Sequence, residues 1–450
     1  MIREQRGKAR SQSPLALDGA PPRVPPGVHQ AWPSIDAADR EAVMAVLDSG
    51  VLAGSNGPQA VALEREWAER LGIRRCLALS SGTAALHCAA VAAGLEPGDE
   101  VIVPAVSFVA SAFAFAHHGL VPVFCDIDPR TFNLDVDELE RLIGERTRAI
   151  APVHLHGLPC DMDEIGTLAR RHGLVVIEDA AQAHGALYRG REAGTLGDAA
   201  AFSLNASKNL CAGEGGLFLT NDDDAWETAR RLSNLGEVSP PRKGDQFRSY
   251  WARGLGWHYR LPELSAALAR SQLRKLDDLV QRGQQAAKML TEGLSQIGGI
   301  IPPLTPTDRT HVFHKYRIRI DTEALGFTGP ATELRDRLLW ALRAEGVEAV
   351  VWQLYPLPAL PAFRRGDLGP WTPSARGERL DAWDRDRFPN ASQVLDDSLI
   401  LGSERYPLFN QDTELAERYV DACEHVFAHI DDVLARPHVG LDLTEGPIEP

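Results

Sequence analysis

The feature that most constrains the fold is a rhythm. Between residues 76 and 222, short apolar runs alternate with helix-length segments. The runs are "CLAL" (76–79), "EVIVPA" (100–105), "VPVFCDID" (121–128), "AIAPVHLHG" (149–157), "LVVIEDAA" (174–181), "AAAFSLN" (199–205) and "GGLFLTN" (215–221). Between them lie helical stretches such as "AALHCAAVAAGL", "ASAFAFAHHG" and "MDEIGTLARRHG". A strand wetted on one face alternates apolar and polar residues. These runs are continuously apolar, so both faces are expected to be covered. The pattern predicts an α/β fold around a mostly parallel sheet. Ligands of such sheets bind where the strands end and the loops gather. The distinctive polar residues of this chain fall at those ends.

Upstream, "DAADREAVMAVLDSG" reads as a helix capped by Asp36 and stopped by Gly50, with Val43, Met44, Val46 and Leu47 as its apolar positions. "GPQAVALEREWAERLGI" reads as a second helix. After about residue 255 the rhythm gives way to a long helical segment (261–294), a strand in "HKYRIRID", a helix in "ATELRDRLLWALRAEGV" and a strand in "EAVVWQLY". The expected organisation is a disordered or extended N-terminal arm (1–30), a large domain (31–280), a smaller α+β domain (281–436) and a tail (437–450). The charged segment 364–390 reads as a solvated excursion rather than an insertion over a pocket.

Composition excludes several classes. The net charge is −15 over 450 residues, which argues against nucleic acid as a partner. No run of eighteen apolar residues is present, so no membrane span is expected. The basic N-terminus lacks the apolar core of a signal peptide. Six cysteines form no C-x-x-C pair and mostly sit in apolar runs, which suits a reduced, cytoplasmic protein.

The chemistry-bearing residues come in chain order. Ser81, Gly82 and Thr83 open a helix, which reads either as a phosphate site or as a plain cap. Phe108, just past a strand, is either core or an aromatic face for a planar ligand. Asp179 follows an apolar strand, where it needs a cationic partner unless it merely caps a helix; Gln182 lies three residues on. His154 and His156, at spacing two and so expected on one strand face, suggest a metal only weakly, because no second ligand pair has fixed spacing to them. Then comes Lys208. The chain has six lysines against 41 arginines, and one lysine stands between two strands. Ser203 precedes it, and glycines at 213, 215 and 216 follow, able to let backbone approach a ligand. Together these features match the needs of pyridoxal 5′-phosphate: a Schiff-base lysine, a carboxylate for the pyridinium nitrogen and a phosphate cup.

The motifs "SSGTAALH", "GDEVIVPAVSFVA", "PVFCDIDPRTFNLD", "PVHLHGLPCDMDEI", "VIEDAAQAHGA", "FSLNASKNLCAGEGG" and "GWHYRLPELSAAL" resemble those of the DegT/DnrJ/EryC1/StrS family of sugar aminotransferases. The resemblance spans about residues 36–280. It implies the type I fold of pyridoxal-phosphate transferases: a large domain with a mainly parallel seven-stranded sheet, a smaller C-terminal domain, and a homodimer with shared active sites. By the same resemblance Lys208 matches the cofactor-bearing lysine, Asp179 the pyridinium partner, and Gln182 the neighbour of the cofactor's phenolic oxygen. Phe108 matches the stacking aromatic; Gly82, Thr83 and Ser203 match phosphate contacts. His258 stands where many members carry an asparagine that reaches the neighbouring subunit's phosphate. "SPLALDGAPPR", "AAFSLNASKNL" and "HVFHKYRIRID" are most similar to aminocyclitol-pathway members, which act on inosose-type ketones with L-glutamine or L-glutamate as donor. Members using nucleotide-linked keto sugars share the same core motifs. Dehydratase relatives carry histidine at the lysine position, which Lys208 argues against. A non-catalytic sensor or scaffold would be expected to add a DNA-binding module, and none is visible. His314, Lys315, Tyr316, Trp352 and Tyr355 are candidates for the acceptor pocket or for simple packing.

Overall fold

The computed structural model describes residues 13–53, 57–237, 251–364 and 385–436. The N-terminal dozen residues, the tail from 437 and most of the charged segment 364–390 lie outside these. The strands of the large domain are β1 (Arg75–Leu79), β2 (Glu100–Pro104), β3 (Val121–Cys125), β4 (Thr147–Ile150), β5 (Val175–Asp179), β8 (Ala199–Ser203) and β9 (Gly216–Thr220). Between β5 and β8, β6 (Leu187–Tyr188) and β7 (Arg191–Glu192) form a separate hairpin. The seven-stranded sheet runs β1-β9-β8-β5-β4-β2-β3. Only β9 is antiparallel to its neighbours. It follows β8 through a turn rather than a helical crossover, and a short turn can only reverse a strand. Every residue of β2, β8 and β9 is buried. This is the mostly parallel, doubly covered sheet that the continuous apolar runs require.

The small domain holds β10 (Ile300–Ile301), β11 (Tyr316–Ile320), β12 (Ala349–Val350) and β13 (Ser398–Leu401), ordered β10-β11-β13-β12 and antiparallel throughout. The strand expected in "EAVVWQLY" shrinks to Ala349–Val350. The long helical segment divides into Glu263–Leu273 and Leu276–Leu294. The second helix joins the two domains. Its Leu276 and Val280 pack with Trp67 and Phe202 of the large domain, while Ala286, Leu290 and Leu294 pack with Tyr316 and Ile318 of the small one. Residues 13–36 form a strap. Leu15 and Val24 are buried in the small-domain core. Trp32 packs edge-on against Phe409, and its indole N–H donates to the Ala206 carbonyl at 2.7 Å. The strap thus ties the loop bearing Lys208 to the small domain.

The helix Ala37–Ser49 has the expected Asp36 and Gly50 caps, with a full capping box through Asp39. Its apolar positions do not all face the core. Val46 is buried, but Met44 and Leu47 are exposed, as are Leu52 and Val61 nearby.

One close approach fixes where β9 meets the first crossover helix. A Cβ on Gly216 would lie 2.3 Å from the Ser81 carbonyl oxygen. Both partners are backbone, so neither can rotate away. Gly216→Ala is expected to cost about 1–3 kcal/mol or more through overpacking, read as a lowered urea midpoint with the m-value unchanged.

Candidate active site

The site is built at the end of β5. Strand alternation sends adjacent side chains to opposite faces, and it separates two carboxylates here. Glu178, fully buried, accepts from the backbone N–H groups of Gly194 (2.7 Å), Leu196 (2.6 Å) and Gly197 (2.6 Å). His154 Nε2 adds a fourth bond at 2.9 Å. The Cys160 amide donates to His154 Nδ1, so the ring's proton is on Nε2. Glu178 is therefore saturated and structural.

Asp179 points the other way. Its Oδ2 accepts from Ser111 Oγ at 2.6 Å and its Oδ1 from the Ala181 amide at 3.1 Å. A carboxylate can accept about four hydrogen bonds, and no cation stands within ion-pair distance of it among the described residues. Burial pushes its pKa up; the Ser111 hydroxyl, the Ala181 amide and the charge of Lys208 oppose that shift. Asp179 starts no helix: a turn follows it, in which the Ala183 amide donates to the Ala180 carbonyl. That turn carries Gln182, buried, whose Oε1 accepts from the His156 amide at 2.9 Å.

Lys208 lies in the turn between β8 and β9, its amide donating to the Asn205 carbonyl at 2.9 Å. Protein surrounds it densely, yet part of its surface stays accessible. Burial lowers its pKa to about 8, against the raising charges of Asp179 and Glu404. Behind it sits His184, fully buried between Trp67 and Phe202, its pKa held down to about 3 by burial and then by the Lys208 charge. A lysine poised near neutrality beside a buried carboxylate is an amine ready to react with a carbonyl.

At the other end, Ser81 caps the helix Gly82–Ala92 by accepting the Ala84 amide at 3.0 Å. That leaves the Gly82 and Thr83 amides at the open end of the helix dipole. Ser203 closes on the same point: a Cβ on Gly82 would lie 2.9 Å from Ser203 Cβ. The cradle admits backbone only, as an anion cup needs. Phe108, in the loop after β2, is 57% exposed, so it is not a core residue. These placements fit pyridoxal phosphate: an anion cup, a carboxylate with room for another donor, and a lysine of depressed pKa. His258 stands apart. It is exposed and accepts from Arg260 Nη2 at 2.6 Å.

A family model described as the DegT/DnrJ/EryC1/StrS aminotransferase family matches residues 33–375. The chain belongs to that family. It is an aminotransferase that uses pyridoxal 5′-phosphate. GDP-perosamine synthase of Caulobacter vibrioides is 40% identical over 326 residues, covering 72% of this chain and 84% of that protein. A putative L-glutamine:3-amino-2,3-dideoxy-scyllo-inosose aminotransferase of Streptoalloteichus tenebrarius is 38% identical over 349 residues, covering 76% and 81%. A putative sugar aminotransferase of Streptococcus pneumoniae, solved in its PLP form, superposes with a TM-score of 0.75 at 26% identity, over 90% of this chain and 99% of that one.

Several neighbours of the site gave no local signal. Ser111 reaches Asp179 from 68 residues away; Glu404 acts on Lys208 from the small domain. His154 and His156 do not share a strand face. The chain turns at His156, which sits at φ 59°, so His154 serves Glu178 while His156 pairs with Arg317. Among the described residues no group of three or more His, Cys, Asp or Glu could hold a metal. Of the candidate pocket residues, Tyr316 turns into the small-domain core and bonds Thr291 at 2.8 Å, whereas Lys315 Nζ lies 4.8 Å over Trp352.

The pH dependence of Lys208 follows from its lowered pKa. Below about 8 the amine is protonated and unreactive; above it the neutral nucleophile predominates. Capture of pyridoxal phosphate by the cofactor-free protein, followed by absorbance, is expected to accelerate through that pH and then level off. Asp179→Asn removes a charge that raises the pKa and is expected to move the midpoint lower.

Proposed function

We propose that Lys208 carries the cofactor and moves the proton of the reaction, within a site formed by Gly82, Thr83, Phe108, Asp179, Gln182 and Ser203. The observation that carries this reading is the half-buried Lys208, its pKa lowered to about 8, with the buried Asp179 close enough for each charge to act on the other. Gly82, Thr83 and Ser203 hold the phosphate. Asp179, anionic, keeps the ring nitrogen protonated, and Phe108 covers one ring face. Gln182 stands near the phenolic oxygen. Bound there, pyridoxal phosphate supplies the electron sink that lets an amino group pass from an amino acid to a ketone in two half-reactions. Lys208, once free, takes the proton from the donor's α-carbon and returns it on the cofactor side.

The acceptor in this reading is an inosose-type cyclic ketone and the donor L-glutamine, supported by the relative named for L-glutamine and scyllo-inosose. A nucleotide-linked keto sugar with L-glutamate is the second reading, favoured by the likeness to GDP-perosamine synthase. The enzyme works as a homodimer in which His258 reaches the other subunit's phosphate. The exposed Met44, Leu47, Leu52, Val61, Leu255 and Trp257 support such an interface. Free, buried cysteines support a reducing, cytoplasmic setting.

Lys208→Ala is expected to abolish turnover while the melting profile stays cooperative; turnover without added amine would remove Lys208 from the chemistry. An absorbance titration of the holoenzyme with L-glutamine and L-glutamate, without acceptor, is expected to convert the cofactor to its amine form. A glutamine preference supports the cyclitol reading, and a glutamate preference the nucleotide-sugar reading.

A further inference from the structure

Strand β11 and the residue before it alternate cation and apolar side chain: Lys315, Tyr316, Arg317, Ile318, Arg319, Ile320. Tyr316, Ile318 and Ile320 fill the small-domain core. Period-two alternation then turns Lys315, Arg317 and Arg319 to the opposite face, toward the large domain. The three cations are satisfied unequally. Arg319 is paired with Asp397 through both of its carboxylate oxygens. Arg317 is only 2% exposed. Its Nε donates to His156 Nε2 at 3.0 Å and its Nη1 to Ser398 Oγ at 2.6 Å. Its Nη2 is buried without a partner, and among the described residues no carboxylate stands within ion-pair distance. Lys315 likewise makes no ion pair among the described residues and rests over Trp352.

The cluster adjoins the cofactor site. His156, which holds Arg317, also donates its backbone N–H to Gln182 and packs its ring against Phe132 and Trp352. Lys315 lines a cavity with Ser207, the sequence neighbour of Lys208, and with His314 and Glu404. Burial, and then the charge of Lys208, lowers the Lys315 pKa to about 8 against the raising charge of Glu404; burial lowers Arg317 to about 10 against the charge of Asp397, which is paired with Arg319. Both groups thus sit where a cation is disfavoured, and both regain stability when an anion arrives. His156 is held neutral, far below its ordinary pKa, so it orients Arg317 without adding charge.

We propose that Arg317 and Lys315 bind the α-carboxylate of the amino donor, with Trp352 and Phe132 as the apolar walls. The proposal rests on the reading of Lys208 as the reacting amine. The free guanidinium nitrogen and one ammonium offer few donors, which suits a small planar monoanion better than a phosphate. Every amino-acid donor carries such a carboxylate one bond from its reacting carbon, and so within the neighbourhood of Lys208. A ketone acceptor without charge would leave the same groups unpaired. The site thus distinguishes the two substrates that must alternate in it.

The test compares L-glutamine and L-glutamate with L-isoglutamine, whose α-carboxylate is an uncharged amide, in the donor half-reaction of the full-length holoenzyme. Rate against concentration separates apparent affinity from maximal rate. Wild type is expected to favour the free α-carboxylate by about 100-fold, the range of a charge-assisted bond pair. Arg317→Leu is expected to remove most of that preference through weaker apparent affinity, with L-isoglutamine affected little, and Arg317→Lys to recover part of it. Should Arg317→Leu lose its cooperative melt, Lys315→Met on the half-buried lysine carries the test, with a loss of about tenfold. A preference unchanged in folded variants overturns the proposal. So does an intact donor half-reaction with a raised acceptor KM, which would assign the anion to the acceptor. A wild-type holoenzyme inert to all three amines overturns these donors, and with them the proposal, whereas a wild-type protein that stays colourless with added cofactor overturns the reading of Lys208 itself; both failures show without any substitution.

Discussion

Burial of two neighbouring carboxylates at the end of one strand is the constraint on which this site depends. Glu178 and Asp179 leave β5 on opposite faces, and the protein treats them oppositely. Glu178 gathers three backbone N–H groups from the loop at 194–197 and the imidazole of His154. That saturation fixes the loop before β8 and, through it, the position from which β8 starts. Asp179 receives only Ser111 and one amide. A buried carboxylate left short of donors is costly unless a cation completes it. The fold bears this cost at one point because Glu178, beside it, is so thoroughly anchored.

The same logic extends across the domain boundary. Lys208 has a lowered pKa because it is dry; Asp179 on one side and Glu404 on the other keep it from falling further. Glu404 comes from the small domain, and so does the cationic face of β11. What aligns that domain is a set of long-range caps and packing contacts. The helix Leu276–Leu294 belongs to both cores. The strap passes from the small-domain core to the Lys208 loop through Trp32. Asp126, at the end of β3, accepts the amides of Asn390 and Ala391 and so caps the helix Pro389–Asp397, which leads directly into β13. The hydrogen bonds among these contacts join residues 174 to 265 positions apart, and together the contacts align Lys208 with the cationic face of β11.

Much of the site was legible in advance because its signals are local. Lys208, Asp179, Gly82 and Ser203 sit at strand ends or helix starts, and the apolar rhythm shows where those ends are. Phe108 could be read two ways from sequence; its exposure decides against the core. The helix Ala37–Ser49 shows the opposite failure. Its apolar spacing pointed Met44 and Leu47 inward, but the chain's own core takes only Val46, since an amphipathic pattern does not say which surface covers it. Ser111 and Arg317 were not legible at all: each is an ordinary residue of its helix or strand until another segment is brought against it.

The sequence by itself determined the element order, the open strand ends and which polar residues stand at them, because strand period, helix caps and turn glycines act within a few residues of one another. The tertiary structure alone decided which carboxylate is satisfied, how far burial shifts Lys208 and Lys315, and which arginine of β11 makes no ion pair among the described residues. Desolvation and Coulomb interaction depend on distance in space, and the chain sets that distance only when its far segments pack together.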